Sequence, residues 1–255
     1  MIKLVASDLD GTLLHNYQQT VPKEIYDTIK ALHEKGIIFT AASGRQYANI
    51  RRLFAPLGFD IPYIAENGSM CVYKEEILAT GLTPSKTIRH ILDALMEYRK
   101  IYHTGHCILS VKDTYYSDST DERFIDYMEN DMHNIVTYVP DLYAIKAAIC
   151  DFGGTKNLEP FFHKRIGDEI RVVTSADHWI DFIAPNANKG TALKVLMEKF
   201  GIKKEECICF GDQQNDIEML KAAGTAYVMA TGHPLAKKAA DYVVESPLPV
   251  MQGLL

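Results

Sequence analysis

Four short polar segments contain side chains whose types and spacing could do chemistry. Asp8–Thr12 (DLDGT) places two carboxylates two residues apart, and Gly211–Asp216 (GDQQND) supplies two more. Ser43–Arg45 (SGR) offers a hydroxyl and backbone amides, and Asn188–Gly190 (NKG) offers an ammonium group. Carboxylates serve as nucleophiles, general acids or bases and ligands of hard cations, whereas hydroxyl, amide and ammonium groups bind phosphate. Together the segments predict cation-assisted chemistry at a phosphoryl group.

Each segment taken singly also fits a simpler interpretation, as an exposed turn, a serine that caps a helix, or a surface lysine. Their shared position separates these interpretations, because each segment falls where a predicted strand ends or a helix begins. Open α/β sheets bind ligands at the carboxyl ends of their strands. Carboxylates gathered there repel by roughly 4 kcal/mol per pair at 4 Å and an effective dielectric near 20. Such a site predicts a bound cation, and oxygen ligands together with phosphate favour Mg²⁺.

The elements that must position these segments alternate between strand and helix patterns. Apolar runs at Ile2–Ser7, Ile37–Ala42 and near Tyr63 predict strands, and Pro22–Lys35 and Arg45–Leu57 predict the helices between them. Strands joined by crossover helices pair in parallel and are buried on both faces, which accounts for their continuous apolar character. This part of the chain therefore predicts an α/β fold with a parallel sheet.

The pattern changes after the third strand, where Asn67-Gly68 predicts a tight hairpin turn. From residue 82 to residue 184 the segments predict a mostly antiparallel α+β module. Its predicted elements are a helix at Ile88–Met96, strands at Cys107–Lys112 and Ala144–Cys150, a helix at Phe124–Met128, a further helix, and strands at Arg171–Thr174 and Trp179–Ile183. The α/β alternation then resumes with a helix at Thr191–Phe200, a strand at Cys207–Phe210, a helix after Asp216, and strands at Ala226–Met229 and Tyr242–Val244. We therefore expect a core of residues 1–81 and 185–255, interrupted by an inserted domain of residues 82–184.

In this order and at these positions, the four segments resemble the four motifs of the haloacid dehalogenase superfamily. The long insertion and the GDQQND form of the last motif resemble its Cof-type phosphatases, the sugar-phosphatase-like subfamily IIB. The resemblance implies a Rossmann-like parallel-sheet core with an inserted α+β cap that determines substrate specificity. It also implies a Mg²⁺-dependent phosphoric monoester hydrolase. Its substrate would be a small phosphorylated metabolite, a sugar phosphate or a cofactor phosphate, cleaved through an aspartyl-phosphate intermediate.

The resemblance also implies roles for individual residues. Asp8 would be the nucleophile and Asp10 the general acid/base. The implied Mg²⁺ ligands are Asp8, the main-chain carbonyl of Asp10, and Asp212, with Asp216 in support. The implied phosphate-binding groups are the Leu9 amide, Ser43, Gly44, Lys189 and Asn215. No role is implied for Arg45.

The chain departs from the family pattern in two places outside these motifs. Ala230-Thr231-Gly232 stands where Gly-Asn-Ala is usual. Glu245–Pro249 stands where the family usually has an acidic segment that contains glycine. We therefore expect a different loop after Met229 and a different C-terminal edge.

Two other functions fit the same motifs. A phosphomutase would return the phosphoryl group to a second hydroxyl, and a regulator would bind a phosphorylated metabolite without catalysis. The intact chemical positions argue against the regulator. In the inserted domain, Tyr115, Tyr116 and Trp179 could either stack on a substrate or form the domain's own core.

Composition narrows the class of partner. The chain of 255 residues has 27 basic and 33 acidic side chains, a net charge of −6, and no basic block, which argues against binding nucleic acid or an acidic membrane. Its five cysteines are odd in number and scattered, which predicts reduced thiols. No signal-peptide core or membrane-spanning run is apparent, so we expect a cytoplasmic protein. No feature of the sequence specifies an oligomeric state.

Overall fold

The computed structural model describes residues 1–14, 20–111, 114–130, 135–136 and 144–255. The backbone forms two compact units, which are Met1–Thr80 with Ala187–Leu255, here called the main unit, and Gly81–Asn186, the inserted unit. Within these described ranges, no helix combines the length and the apolar content that crossing a membrane requires.

The first segment of the main unit contains strands joined by helices and by hairpins. The elements are strands β1 (Leu4–Asp8), β2 (Ile38–Ala42), β3 (Tyr63–Ala65), β4 (Met70–Tyr73) and β5 (Glu76–Thr80), and helices α1 (Lys23–Glu34) and α2 (Tyr47–Phe54). Strands β1, β2 and β3 pair in parallel, whereas β4 pairs in antiparallel fashion with both β3 and β5. The predicted alternation of parallel strands and crossover helices is confirmed.

Helix α1 shows how the local sequence specifies an element. Its N-cap is Pro22, whose ring fixes φ near the helical value and whose missing amide is not needed there. Ile25, Ile29 and Leu32 are buried along one face of the helix. After the helix, Gly36 adopts a φ of +77°, which glycine tolerates without strain.

The predicted start of the second helix was wrong. Helix α2 begins at Tyr47 and not at Arg45, with Gln46 as its N-cap, and it ends before a 3₁₀ turn that contains Pro56. Proline interrupts an α-helix because it has no amide to donate. The hairpin predicted at Asn67-Gly68 is confirmed, since β3 and β4 pair in antiparallel fashion across residues 66–69.

The inserted unit contains a six-stranded sheet with helices on both faces. Its elements are α3 (Ser85–Tyr102), β6 (His106–Val111), β7 (Thr114–Tyr116), α4 (Glu122–Asn130), β8 (Ile135–Val136), β9 (Lys146–Cys150), α5 (Thr155–Ile166), β10 (Arg171–Ala176) and β11 (Trp179–Ile183). The strand order is β10-β11-β9-β6-β7-β8, and every pair except β7 with β8 is antiparallel. The predicted α+β module is confirmed, although β7 and β8 were not predicted. Lys112, the last residue of one predicted strand, lies outside the described residues.

Alternate residues of β9 face the two helical layers. Ala147 and Ile149 pack with α3 and α5, whereas Ala148 packs with α4. Tyr115 and Trp179 are buried in the α4 layer, and Tyr116 packs partly buried against the other layer. Of the two roles considered for these aromatic residues, Tyr115 and Trp179 take the one in the core.

The chain then completes the main unit with α6 (Lys189–Lys199), β12 (Cys207–Gly211), α7 (Ile217–Ala222), β13 (Thr225–Met229), α8 (Pro234–Ala239), β14 (Tyr242–Val244) and α9 (Leu248–Gln252). The strand order of the main sheet is β14-β13-β12-β1-β2-β3-β4-β5, so β1 lies between β12 and β2. The residues that follow these three strands therefore meet at one edge of the sheet. The predicted fold class, an α/β core interrupted by an α+β unit, is confirmed. Helices α8 and α9 were not predicted.

Cysteines contribute to the core of the main unit. Cys71, Cys207 and Cys209 belong to one of its hydrophobic clusters. All five cysteines of the chain are buried free thiols.

Candidate active site

Three buried carboxylates converge at the carboxyl edge of the main sheet. Asp8 is the last residue of β1, Asp212 follows β12 directly, and Asp216 ends a short 3₁₀ turn before α7. One oxygen from each carboxylate lies within 4.8 Å of the other two. Convergent carboxylates at this spacing can hold a divalent cation.

Lys189 is the charged partner of this carboxylate cluster. Its Nζ lies 2.5 Å from Asp8 Oδ1 and 2.6 Å from Asp216 Oδ1, and the whole side chain is buried. The residue begins α6, whose N-cap Asn188 accepts the Thr191 amide in a capping box. The returning helix thus delivers an ammonium group to the carboxylates.

Hydrogen bonds among the described residues reach every carboxylate oxygen of the cluster except one. Asp216 Oδ2 accepts the backbone amides of Asp212 and Gln213 at 2.9 and 3.0 Å. Asp212 accepts bonds from the side chains of Thr12 and Gln213. Asp8 Oδ2 is buried and has no hydrogen-bond partner in the described part of the chain. Burying a carboxylate oxygen without a hydrogen bond costs free energy of folding.

The pKa values respond to this crowding. Burial raises the pKa of Asp8 well above its ordinary value, and Asp216 and Asp212 raise it further against the opposing effect of Lys189. Burial and the charge of Asp216 also raise the pKa of Asp212. Burial alone would lower the pKa of Lys189, but Asp216 and Asp8 outweigh it and raise the value, so the ammonium remains charged. An added cation would favour the ionised carboxylates.

Glycines allow this close packing. Gly11 has a φ of +89°, and a Cβ there would overlap the Asp212 carboxylate. A Cβ on Gly211 would lie 2.6 Å from the Asp216 Cβ. Leu9 is fully buried, and its carbonyl accepts the Thr12 amide in the turn after β1.

The Asp10 carboxylate does not belong to the group of three carboxylates that the described residues form, and it pairs with Arg45 instead. Arg45 donates to both of its oxygens, from Nε at 2.8 Å and from Nη2 at 2.6 Å. Arg45 Nη1 also donates to Asn49 Oδ1 on α2 at 3.2 Å. The role of Arg45 was not apparent from the sequence, since the two partners belong to different motifs.

The remaining predicted phosphate-binding residues lie in two neighbouring loops. Ser43 is buried after β2, and its Oγ accepts the Arg45 amide at 3.1 Å. Because α2 begins only at Tyr47, the prediction that Ser43-Gly44 opens a helix was wrong. Asn215 Nδ2 donates to Asn67 Oδ1 at 2.9 Å. Sequence reasoning treated Asn67 only as a turn residue.

The chain matches a known protein family over most of its length. A family profile described as haloacid dehalogenase-like hydrolase matches residues 5–247. The chain belongs to the haloacid dehalogenase-like hydrolases. The family predicted from the four motifs is therefore confirmed.

The relatives of this haloacid dehalogenase-like hydrolase cover nearly its whole length. A 5-amino-6-(5-phospho-D-ribitylamino)uracil phosphatase of Escherichia coli (strain K12) is 26% identical over 247 residues, which cover 94% of this chain and 90% of that protein. An HMP-PP phosphatase of Escherichia fergusonii is 26% identical over 244 residues, covering 92% and 86%.

Solved structures share the fold. A haloacid dehalogenase-like hydrolase from Bacteroides thetaiotaomicron has a TM-score of 0.82 at 21% identity, with 100% of both chains covered. A subclass IIB sugar phosphatase of the same superfamily has a TM-score of 0.81 at 22% identity, covering 99% of this chain and 97% of that one. At these identities the likeness establishes the fold alone.

The loop after β13 of this hydrolase, for which we expected a different conformation, lies against Asp212. The His233 amide donates to the Asp212 carbonyl at 2.7 Å, and the Gly232 amide donates to Met229. A Cβ on Gly232 would lie 2.9 Å from the Asp212 carbonyl oxygen. Residues 230–232 of this chain therefore place a glycine where the backbone packs against Asp212.

Proposed function

We propose that this hydrolase is a Mg²⁺-dependent phosphatase that cleaves a small phosphorylated metabolite through an aspartyl-phosphate on Asp8. The observation that carries the proposal is the excess of buried negative charge at the carboxyl edge of the sheet. Three carboxylates face one ammonium there, and one Asp8 oxygen has no hydrogen-bond partner among the described residues.

The residues present fit a divalent cation. Asp8, Asp212 and Asp216 are hard oxygen donors, and Asp8 and Asp212 have raised pKa values because burial and their neighbours disfavour the ionised forms. Asp8, Asp212 and the main-chain carbonyl of Asp10 would hold Mg²⁺, with Asp216 in support. The ion, when bound, neutralises the carboxylates and polarises the phosphoryl oxygens.

Asp8 is suited to attack phosphorus. Lys189 binds Oδ1 and leaves Oδ2 as the oxygen that can form the new bond. In the first step the Asp8 Oδ2–P bond forms and the bond from phosphorus to the ester oxygen breaks, with a proton delivered to the leaving oxygen. In the second step a water attacks the aspartyl-phosphate and releases inorganic phosphate and the free Asp8 carboxylate.

Asp10 supplies and then takes up the proton. Its carboxylate is held by the bidentate bonds from Arg45, so its position next to the Asp8 turn is fixed before a substrate enters. Proton transfer requires one of these oxygens to exchange Arg45 for the leaving group or water. Arg45 therefore orients the acid/base and must release it in part during each turnover.

The phosphoryl oxygens would be bound by the Leu9 amide, Ser43, Gly44, Lys189 and Asn215. Ser43 accepts a bond from its own loop and can still donate its hydroxyl hydrogen. Lys189 contributes a buried positive charge at the nucleophile. Catalysis would therefore rest mainly on positioning and electrostatic stabilisation.

The inserted unit would act as the cap that selects the substrate. Relatives are named for a phosphoribitylamino-uracil and for HMP-PP, which supports a small phosphorylated metabolite, either a sugar phosphate or a cofactor phosphate, as the substrate class. The five free thiols support a reducing compartment such as the cytoplasm.

The test is hydrolysis of a generic aryl phosphate, followed as released inorganic phosphate. Activity should require Mg²⁺, stop in excess chelator and return on adding Mg²⁺. Asp8→Asn keeps the size of the side chain and removes the nucleophile, so the rate should fall by about a thousandfold or more. The exposed Asp60→Asn in the same unit is the matched control and should retain full activity. Retention of a tenth of the activity by Asp8→Asn, or turnover in excess chelator, would overturn the proposal.

A further inference from the structure

The loop between β3 and β4, residues 66–69, has an unusual backbone and is entirely buried. Glu66, Asn67 and Gly68 are consecutive residues in the left-handed region, with φ values of 51°, 58° and 90°. This conformation is unfavourable for residues that carry a Cβ and persists only where the surroundings impose it. Glu66, Asn67 and Ser69 are each at most 1% exposed. A backbone of this kind in a buried loop requires contacts that hold it in place.

This loop makes contacts of that kind. The Asn67 amide donates to the Ser43 carbonyl at 3.0 Å, and the Glu66 amide donates to the Arg45 carbonyl at 3.0 Å. A Cβ on Gly44 would lie 3.0 Å from Asn67 Oδ1, so the carboxamide packs directly against the Ser43-Gly44 turn. The loop therefore fixes the backbone of one predicted phosphate-binding segment.

The same loop also reaches the two other phosphate-binding segments. Asn67 Oδ1 accepts a hydrogen bond from Asn215 Nδ2 at 2.9 Å. Gly68 lies against the backbone of Asn188 and Lys189 with no room for a Cβ. One buried loop thus touches the segments that contain Ser43, Asn215 and Lys189.

We propose that Asn67 is a positioning residue that orients the Asn215 amide and the Ser43-Gly44 turn toward the phosphoryl group of the substrate. An asparagine amide nitrogen has two hydrogens in fixed directions. Once Asn67 accepts one of them, the direction of the other is set, and it becomes a preorganised donor to phosphate. A glycine would satisfy the left-handed backbone equally well, so the carboxamide is what distinguishes Asn67. This inference rests on the proposed function, because Asn215 and the Ser43-Gly44 turn bind phosphate only in that proposal.

The experiment is a double-mutant cycle on phosphate binding. Asn67→Gly keeps the left-handed backbone and removes the carboxamide, and Asn215→Ala removes the donor. The affinity for inorganic phosphate in the presence of Mg²⁺ is measured by calorimetry, with kcat and KM for an aryl phosphate alongside. Each single variant should weaken phosphate binding about tenfold, and the double variant should lose clearly less than the roughly hundredfold that two independent losses would give, because the Asn215 contribution can be lost only once. Independent losses that multiply would overturn the inference.

Ser69→Ala is the matched control within the same loop. The Ser69 hydroxyl is buried and has no hydrogen-bond partner in the described structure, so its removal should leave phosphate binding within about twofold of the wild type. A loss equal to that of Asn67→Gly would mean that any change in the loop has this effect, and would contradict a specific role for Asn67.

Asn67→Asp serves if the glycine variant does not fold, because it keeps the shape, the left-handed preference and the acceptor for Asn215. In that background Asn215→Ala should still cost the full tenfold, and loss of this cost would count against the inference. If the wild type bound phosphate but did not hydrolyse the aryl phosphate, the proposed phosphatase function would be wrong, and the double-mutant cycle would still test the role of Asn67. Hydrolysis with independent losses would overturn the role of Asn67 alone, and a wild type that neither hydrolyses the aryl phosphate nor binds phosphate would overturn both.

Discussion

Buried charges are arranged differently in the two units of the molecule. In the inserted unit, Lys146 and Asp181 form a buried ion pair at 3.3 Å. The buried Asp151 carboxylate accepts bonds from the Tyr98 hydroxyl at 2.6 Å and the Gly153 amide at 2.8 Å. These groups are matched to partners from the same unit, as buried polar groups that serve the fold usually are.

The main unit departs from that balance. Asp8, Asp212 and Asp216 lie together, the Lys189 ammonium contacts two of them, and Asp8 Oδ2 has no hydrogen-bond partner in the described residues. An arrangement of this kind is costly in a folded protein unless a ligand completes it. A surplus of like charge, and not burial of charge as such, therefore distinguishes the candidate active site.

Removing one lysine from each unit gives the largest expected effects and tests this distinction. Lys189→Met removes the ammonium that contacts Asp8 and Asp216, and Lys146→Met removes the ammonium that pairs with Asp181, so each should lower the free energy of unfolding by about 3–5 kcal/mol. Only Lys189→Met should also abolish hydrolysis of a small aryl phosphate, because only Lys189 contacts the nucleophile.

The measurements are urea unfolding, with far-UV circular dichroism for the whole chain, and the kcat of the folded variants. Trp179, the single tryptophan of the chain, reports on the inserted unit by its fluorescence. Adding Asp181→Asn to Lys146→Met should recover part of the lost stability. If Lys146→Met lowered kcat as strongly as Lys189→Met, the contrast between the units would disappear.

Two glycines offer a smaller and more local test of the main unit. Gly11 and Gly36 both have a positive φ, +89° and +77°, but a Cβ on Gly11 would overlap Asp212 whereas nothing lies within 4 Å of a Cβ on Gly36. Gly11→Ala should displace the carboxylate and lower kcat about a hundredfold. Gly36→Ala should cost only about 1–2 kcal/mol of backbone strain and leave kcat unchanged. Equal effects on kcat would show that the geometry around Asp212 does not matter for turnover.

The sequence predicted best those features that depend on neighbouring residues. Strands such as β1 and β12 are short apolar runs with polar residues directly after them, so both the strand and the position of Asp8 or Asp212 can be inferred locally. Strand β7, of three residues, is too short to show a period. The start of α2 was predicted two residues too early, because Ser43 in the turn before the helix resembles an N-cap residue, whereas the N-cap is Gln46.

Side-chain pairs between loops were outside the reach of pattern reasoning. Arg45 and Asp10 are 35 residues apart, and Asn215 and Asn67 are 148 residues apart. Each partner is polar and lies near a turn, which describes many surface residues as well. Only the packing of the sheet brings these pairs together, so their roles required the structure.

His106 provides the smallest expected effect, which concerns the pH dependence of stability in the inserted unit. Its ring stacks on Phe124 with centroids 4.6 Å apart, and its Nδ1 lies 2.9 Å from Ser119 Oγ. Burial lowers the pKa of His106, with Asp121 opposing and Arg99 adding to the shift. The unfolded chain, with a histidine pKa of about 6.5, therefore binds a proton that the folded unit resists. The free energy of unfolding of the inserted unit is therefore highest well above pH of about 6.5 and decreases as the pH falls below it.

The urea midpoint of Trp179 fluorescence, measured at pH of about 7.5 and about 5.5, follows this loss in the inserted unit. The midpoint of the wild type should fall on acidification, and that of His106→Gln should fall less, because glutamine does not titrate. His163→Gln removes a largely exposed histidine of the same unit and should behave like the wild type. An equal fall in the wild type and in His106→Gln would refute the assignment. A smaller fall in His106→Gln, with the Mg²⁺ dependence of hydrolysis unchanged, would show that ionisation in this unit acts on stability while charge in the main unit acts on catalysis.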